Sequence, residues 1–275
     1  MARNGLAAIT LAAGYGKIDG TPKLLMTLGT CTLIERAVHL LNDELDIYPT
    51  VVVDNDESGD ALRKVLGEHA SLYDGQLMAR QNGRRGTAGA VELALERLAS
   101  FGDDFSQVLV TYADMPLLRP ETLAGLVDNH RNSLEFPVIS MFSVDTACIE
   151  CPENIKQFGR IIRNTDGMII GIREPFQMDA ESNALWQQCQ RVNPSVWIFD
   201  VQWLRENIVS LPKHDKGDGF PQETWLPDLV PMAVEQGRSV LELSLNDHRE
   251  VLGVNNEEEL LQVQQLYAEM YLQKA

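Results

Sequence analysis

Residues Leu6–Leu25 read LAAITLAAGYGKIDGTPKLL. The first part runs apolar to Ala13 but for Thr10, as a strand covered on both faces requires. The second part sets Gly14, Gly16 and Gly20 among Lys17, Pro22 and Lys23. A glycine-rich turn behind a buried strand can aim backbone N–H groups at phosphate while lysines add charge. It can equally be a tight exit from the strand, since neither G-x-x-x-x-G-K-[ST] nor G-x-G-x-x-G is present.

Ala7–Ala13 is therefore the first predicted strand, and its neighbours decide the fold class. Pro49–Asp54 and Gln107–Tyr112 are further β-branched runs, separated by helical spacing of apolar residues over Thr32–Leu41, Ser58–His69 and Ala88–Leu98. This alternation predicts βαβ units and a Rossmann-like, mostly parallel α/β sheet flanked by helices, with ligands beyond the carboxyl ends of the strands. Gly14–Lys23 and Ala113-Asp114-Met115-Pro116 both occupy such positions. Pro120-Glu121 opens another helix, with proline in its first turn and an acid against the dipole.

Beyond about residue 137 the pattern turns strand-rich: Val138–Val144, Gly159–Arg163, Met168–Ile172 and Val192–Phe199. Asn164-Thr165-Asp166-Gly167 reads as a hairpin turn. A sheet extension covering one side of the first sheet suits this region. Trp225–Glu235 and Asn256–Leu272 read as helices, Leu241–Leu245 and Val251–Val254 as strands, and Lys213–Gly219 as a mobile loop. The whole reads as one domain, with a first half over 1–136 and a strand-rich second half with a closing helix over 137–275.

Composition bounds the partners. Lys and Arg number 23 against 40 Asp and Glu, a formal charge of −17. Such a surface repels nucleic acid and anionic lipid at long range, so an anionic ligand must be met by a local cation cluster or a metal. No segment reaches the roughly 18 to 20 uncharged apolar residues of a membrane span, and no signal segment is evident, so a cytoplasmic location is expected. Four cysteines are too few for a disulfide scaffold in 275 residues. Cys148 and Cys151 have zinc-knuckle spacing but lack a second ligand pair, which favours ordinary reduced thiols. The five histidines have no ligand spacing.

Leu11-Ala12-Ala13-Gly14-x-Gly16 with Pro22-Lys23-x-Leu25 resembles the signature loop of the nucleotide-sugar pyrophosphorylases, and later segments resemble the uridylyltransferases of N-acetylglucosamine 1-phosphate within that family. Gln81 followed by Gly86-Thr87 is similar to the uracil-binding segment, and Tyr112-Ala113-Asp114-Met115-Pro116-Leu117 to the metal-binding segment. Phe158-Gly159-Arg160-Ile161, Gly171-Ile172-Arg173-Glu174 and Asn193 resemble the sugar side. Gly253-Val254-Asn255-Asn256 resembles the closing motif, whose first Asn is a magnesium ligand.

The resemblance implies the nucleotide-diphospho-sugar transferase fold with a strand-rich sugar-binding extension. It implies transfer of a nucleotidyl group from an NTP, UTP first, to a sugar 1-phosphate. Leu11, Ala12, Ala13, Gly14, Gly16, Gln81, Gly86 and Thr87 would then bind nucleotide, and Gly159, Glu174 and Asn193 the sugar. Asp114 and Asn255 would hold Mg2+, and Lys23 would neutralise phosphate. The family's Gly-Thr-Arg-Met run is here Gly16-Lys17-Ile18-Asp19-Gly20, so Lys17 is the expected substitute for its Arg. Since the chain stops after the last predicted helix, no acetyltransferase chemistry is expected. On the sugar side Pro194-Ser195 follows Asn193, Pro175-Phe176-Gln177 follows Glu174, and Pro227 replaces a threonine.

Plainer roles stand beside these. Asp114 can cap the turn before Pro116, Asn255 can cap the helix opening at Asn256, and Glu174 can be a solvated strand end. Arg84 and Arg85 can reach phosphate or face water. Thr21-Pro22-Lys23-Leu24-Leu25 and Asp114-Met115-Pro116-Leu117 also suit a molybdopterin cytidylyltransferase, and a silent nucleotide- or sugar-binding protein is the third possibility.

Overall fold

The computed structural model describes residues 5–67, 78–102, 105–147, 152–156, 158–175, 189–215 and 222–272. Cys148, Cys151, Phe176, Gln177 and Lys216–Gly219 lie outside the described residues.

The predicted first strand is β1 (Leu6–Leu11), buried at every position. Two short antiparallel pairs follow it, β2 (Lys17–Ile18) with β3 (Thr21–Pro22) and β4 (Thr27–Leu28) with β5 (Cys31–Thr32), before helix α1 (Leu33–His39). Thr32 and Glu35 close a capping box on α1, so the predicted helix start moves by one residue. Then come β6 (Thr50–Asn55), α2 (Gly59–Gly67), β7 (Met78–Gln81), α3 (Gly86–Ala99), β8 (Gln107–Tyr112) and α4 (Pro120–Asn132).

β7, β6, β1 and β8 lie side by side and all parallel. Alternation along β1 explains the layering. Leu6 and Ala8 enter one core with Ile34, Leu41, Leu62 and Leu126, while Ala7, Ile9 and Leu11 enter the other with Val91, Leu98 and Leu204. One sheet thus carries helices on both faces, and the carboxyl ends of β1, β6 and β8 open on the same edge.

The second half comprises β9 (Ile139–Asp145), α5 (Glu153–Lys156), β10 (Arg160–Arg163), β11 (Ile169–Arg173), β12 (Arg191–Val192), β13 (Trp197–Asp200), α6 (Val201–Ile208), α7 (Leu229–Glu235), β14 (Val240–Ser244) and α8 (Glu257–Tyr267). Its strands continue the same sheet by edge pairing, and do not cover a face of it. The full order is β11-β10-β12-β9-β13-β8-β1-β6-β7, with β14 against the other edge of β9. The predicted hairpin turn joins β10 to β11, with Gly167 at φ +80°.

Val192–Phe199, expected as one strand, is broken. Pro194 has no N–H to give, Ser195 adopts φ +62°, and the chain resumes as β13. β12 pairs with β9 and β10, whereas β13 pairs with β9 and β8. The sheet therefore parts between β8 and β10 where the parallel strands end, and the break forms the head of a cleft.

Val251–Val254 is not a strand. His248–Val251 is a 3-10 turn, and Val254 N donates to the Asp114 carbonyl at 3.1 Å, which ties the closing segment to the loop after β8. Trp225–Glu235 divides into a 3-10 turn over Leu226–Asp228 and α7. No described helix is long and apolar enough to cross a membrane.

Candidate active site

The loop after β1 crosses the end of the sheet under backbone control. Ala12 N donates to Val53 O at 2.9 Å, and Ala113 N to Leu11 O at 3.1 Å. Asn55, the last residue of β6, is buried, and its amide donates to Gly14 O at 2.9 Å. The Asn55 oxygen accepts from Glu57 N, Ser58 N and Ser58 Oγ, so its orientation is over-determined. A Cβ on Gly14 would meet nothing within 4 Å, whereas one on Gly16 would lie 3.1 Å from Lys23 Cδ. Gly14 presents bare backbone to open space, and Gly16 leaves room for the lysine stem.

Above this loop lies a cavity of about 650 Å3. Leu11, Ala12, Ala13, Gly14, Gly16, Lys23, Gln81, Gly86, Thr87, Asp114 and Glu174, all named from sequence, line it. So do Tyr15, Arg84, Tyr112, Ser195, Glu223 and Trp225, of which only Arg84 was singled out as a possible phosphate contact. Lys23 is buried, and its ammonium donates to Asp114 Oδ2 at 2.5 Å and to Asn255 Oδ1 at 2.9 Å. Residues far apart in sequence converge there on one cation. Asn255 does not cap the last helix: Asn256 does, accepting from Glu259 N at 2.9 Å, which leaves the Asn255 oxygen turned to Lys23.

The residues expected on the nucleotide side and those expected on the sugar side meet at the parting of the sheet. Gln81 is buried, and its Oε1 has no hydrogen-bond partner among the described residues. Gly86, at φ +78°, begins α3 against the backbone of Thr224; Ala88 N donates to Thr224 O at 3.1 Å, and Thr87 Oγ1 accepts from Leu226 N at 3.0 Å. The Tyr112 phenol hydrogen-bonds with Thr87 and Ser195, and burial followed by the charges of Glu174 and Asp114 pushes its pKa well up, which keeps it protonated. Gly159 permits a close approach, since a Cβ there would lie 2.5 Å from Glu174 Oε1. Gly159 O accepts from Asn193 N at 2.8 Å. Asn193 Oδ1 accepts from Ser195 N at 3.0 Å, and its buried Nδ2 has no partner among the described residues. Asn193 thus stands behind the wall that Ser195 forms. Lys17 lies apart from the cavity lining, its ammonium 2.9 Å from Glu57 Oε2.

Residues 8–145, about half of the chain, match the family model of the MobA-like NTP transferase domain. The chain belongs to this family. Among curated proteins, the chain is 32% identical over 259 residues to the bifunctional protein GlmU of Nocardia farcinica, covering 92% of the chain and 48% of that protein. It is 30% identical over 270 residues to GlmU of Trichodesmium erythraeum, covering 95% of the chain and 52% of that protein. The chain spans about half the length of the curated relatives it matches. Among solved structures, a Bacillus anthracis protein described as a glucose-1-phosphate thymidylyltransferase, in complex with sucrose, superposes with TM-score 0.64 at 16% identity over 96% of both chains. A CMP:2-keto-3-deoxy-manno-octonic acid synthetase complexed with CTP gives 0.60 at 11% identity, over 97% of this chain and 99% of that one. At these identities the likeness is one of fold.

The candidate site also draws on residues given no role in the sequence reading. Asn55, the last residue of β6, directly follows the strand expected over Pro49–Asp54, the kind of position already used to pick Gly14 and Asp114, and the same rule finds it. Trp225 has a ring stacked on His214 at 3.8 Å and an indole N–H donating to Glu223 Oε2 at 3.1 Å. His214 Nε2 is 2.7 Å from Asp228 Oδ2, whose pKa burial pushes up. Glu223-Thr224-Trp225-Leu226-Pro227-Asp228 is among the segments that resemble the family's sugar side, whereas the bridge that brings His214 to Glu223 has no local signal in the sequence.

Proposed function

We propose that the chain joins an NTP, UTP first, to a sugar 1-phosphate, N-acetylglucosamine 1-phosphate or a related hexose phosphate, giving an NDP-sugar and pyrophosphate. The observation that carries this reading is the Lys23 ammonium seated between Asp114 Oδ2 and Asn255 Oδ1 on the wall of the cavity. Two hard oxygens converging on a cation are a donor set that suits Mg2+, which takes few protein ligands and fills its remaining positions with water and phosphate. Asp114 and Asn255 would hold that ion, and when bound it supplies charge neutralisation of the phosphates.

The rest of the chemistry belongs to the chain. A sugar phosphate oxygen attacks the α-phosphorus; the new P–O bond forms as the bond to the β-phosphate oxygen breaks, and pyrophosphate leaves with that electron pair. The nucleophile is already an anion, so no protein base is required and positioning with positive charge does the work. Lys23 exchanges its two oxygen partners for phosphate as substrate arrives. The backbone of Gly14–Gly16 lets the triphosphate approach without side-chain obstruction. The Gln81 oxygen, without a partner among the described residues, accepts from an N–H on the edge of the base, and Glu174 accepts from sugar hydroxyls, with Gly159 leaving it room.

Pyrophosphate release by the purified protein with magnesium tests this, using UTP, CTP or dTTP with a panel of sugar 1-phosphates, beside Lys23→Ala and Asp114→Ala. Release with UTP and N-acetylglucosamine 1-phosphate, lost in both variants, is the expected result. Silence with every pair overturns the sugar assignment, and release only with CTP and a pterin phosphate acceptor transfers it to the cytidylyltransferase reading.

A further inference from the structure

We infer that Arg84, laid against the ring of Tyr15, is the cation that grips the phosphates leaving as pyrophosphate, and that Lys17 has no part in this; the inference rests on the reading of the cavity as an NTP site. In a chain of net charge −17, a bound triphosphate needs cations at close quarters. Among the described residues that line the cavity, the cationic side chains are Lys23 and Arg84. Lys23 meets phosphate at the point where Asp114 and Asn255 converge, and one ammonium does not balance a triphosphate. The carboxylates of Glu174 and Glu223 share the same lining, which makes a second cation the more necessary.

Lys17 is turned away by the strand that carries it. In β2 its neighbour Ile18 is 7% exposed and packs into the core, so alternation sends Lys17 to the other side, where it pairs with Glu57. Turning Lys17 inward requires turning Ile18 out. Expelling a buried Ile costs more than an exposed ion pair returns.

Arg84 is placed by the loop between β7 and α3, where Gly83 at φ +70° and Gly86 at φ +78° fix the bends on either side. Its guanidinium carbon lies over the Tyr15 ring, 5.6 Å from the centroid. Tyr15 belongs to the Gly14–Gly16 loop, and its hydroxyl donates to Asp56 Oδ1 at 2.7 Å, which anchors the ring. Arg84 thus reaches from one wall of the cavity to the glycine loop on the other. Stacking uses the flat face of a guanidinium, and phosphate is recognised by its in-plane N–H edge, so the two contacts are compatible.

Calorimetric titration of the full chain with UTP and with UMP, both with magnesium, tests the assignment on Arg84→Gln, Lys17→Gln and Tyr15→Leu. Arg84→Gln is expected to weaken UTP by about tenfold or more while UMP changes by less than about twofold. UMP binding also reports that the variant is folded. Tyr15→Leu is expected to weaken UTP by about threefold, and Lys17→Gln to leave UTP within about twofold. Undiminished UTP binding by Arg84→Gln, or a UTP-selective loss in Lys17→Gln, overturns the inference while the nucleotide site stands. Failure of the unchanged protein to bind either nucleotide overturns both.

Discussion

Replacing Lys23 removes a charge and also strips Asp114 and Asn255 of the group that joins them. In the proposed reaction Lys23→Met, close in length but neutral, is expected to lower turnover by about 10² to 10³-fold, as loss of one preorganised charge contact does. Steady-state rates beside a thermal melt separate that loss from unfolding. At Gly159 a methyl group would stand 2.5 Å from Glu174 Oε1 and 2.9 Å from Ile172 Cγ2. Gly159→Ala therefore displaces Glu174, and is expected to raise KM for the sugar phosphate severalfold and leave KM for the NTP unchanged. Equal effects on both substrates would remove Glu174 from the acceptor side. These two residues were legible in the sequence because each sits inside a motif. The outward turn of Lys17 was not, since only the burial of Ile18 in the folded core decides it.

At the scale of elements, the adjacent Asn255 and Asn256 divide two tasks that sequence alone could assign to one residue. Asn256→Ala removes the cap of α8 and is expected to cost about 1 kcal/mol in urea unfolding with turnover kept. Asn255→Ala is expected to do the converse. The packing of α4 on β9 carries a pH dependence. His130 on α4 is buried against Ser140, its Nδ1 2.7 Å from Oγ, and burial lowers its pKa from 6.5 to about 4. The unfolded chain takes up this proton near pH 6.5 and the folded chain only near pH 4, so stability falls as pH drops across that interval. Below it both states are protonated and the group adds no further slope; above it both are neutral. The loss amounts to about 2 kcal/mol after allowance for screening. His130→Gln is expected to flatten the stability curve across that interval, and an unaltered curve would mean that the ring is protonated in the folded state. Elements that repeat one period, β1, β6, β8 and α3, could be read from composition alone. Val251–Val254 could not, because its β-branched residues find no ladder and bury themselves beside the loop after β8. Pro194 was the available warning that Val192–Phe199 would not run through.

Across the whole molecule, charge acts before contact. A surface of formal charge −17 repels free nucleotide, so the KM for NTP is expected to fall by about two- to threefold as salt rises from low ionic strength to about 0.15 M at fixed free magnesium. Initial rates across that range check it, and a KM that rises instead would mean that the local field of Lys23 and Arg84 outweighs the surface. The parting of the sheet has a mechanical side as well. Of the strands at the break, β9 runs unbroken past it, with β13 hydrogen-bonded before and β12 after. On the far edge of β9, β14 is paired from Ile139 to Ser143, and Leu245 N extends that contact to Ser143 O at 2.8 Å. β14 is the splint of a seam: it stiffens the single strand that bears the load between two plates, so the gap between those plates can keep a constant width while its lining residues vary.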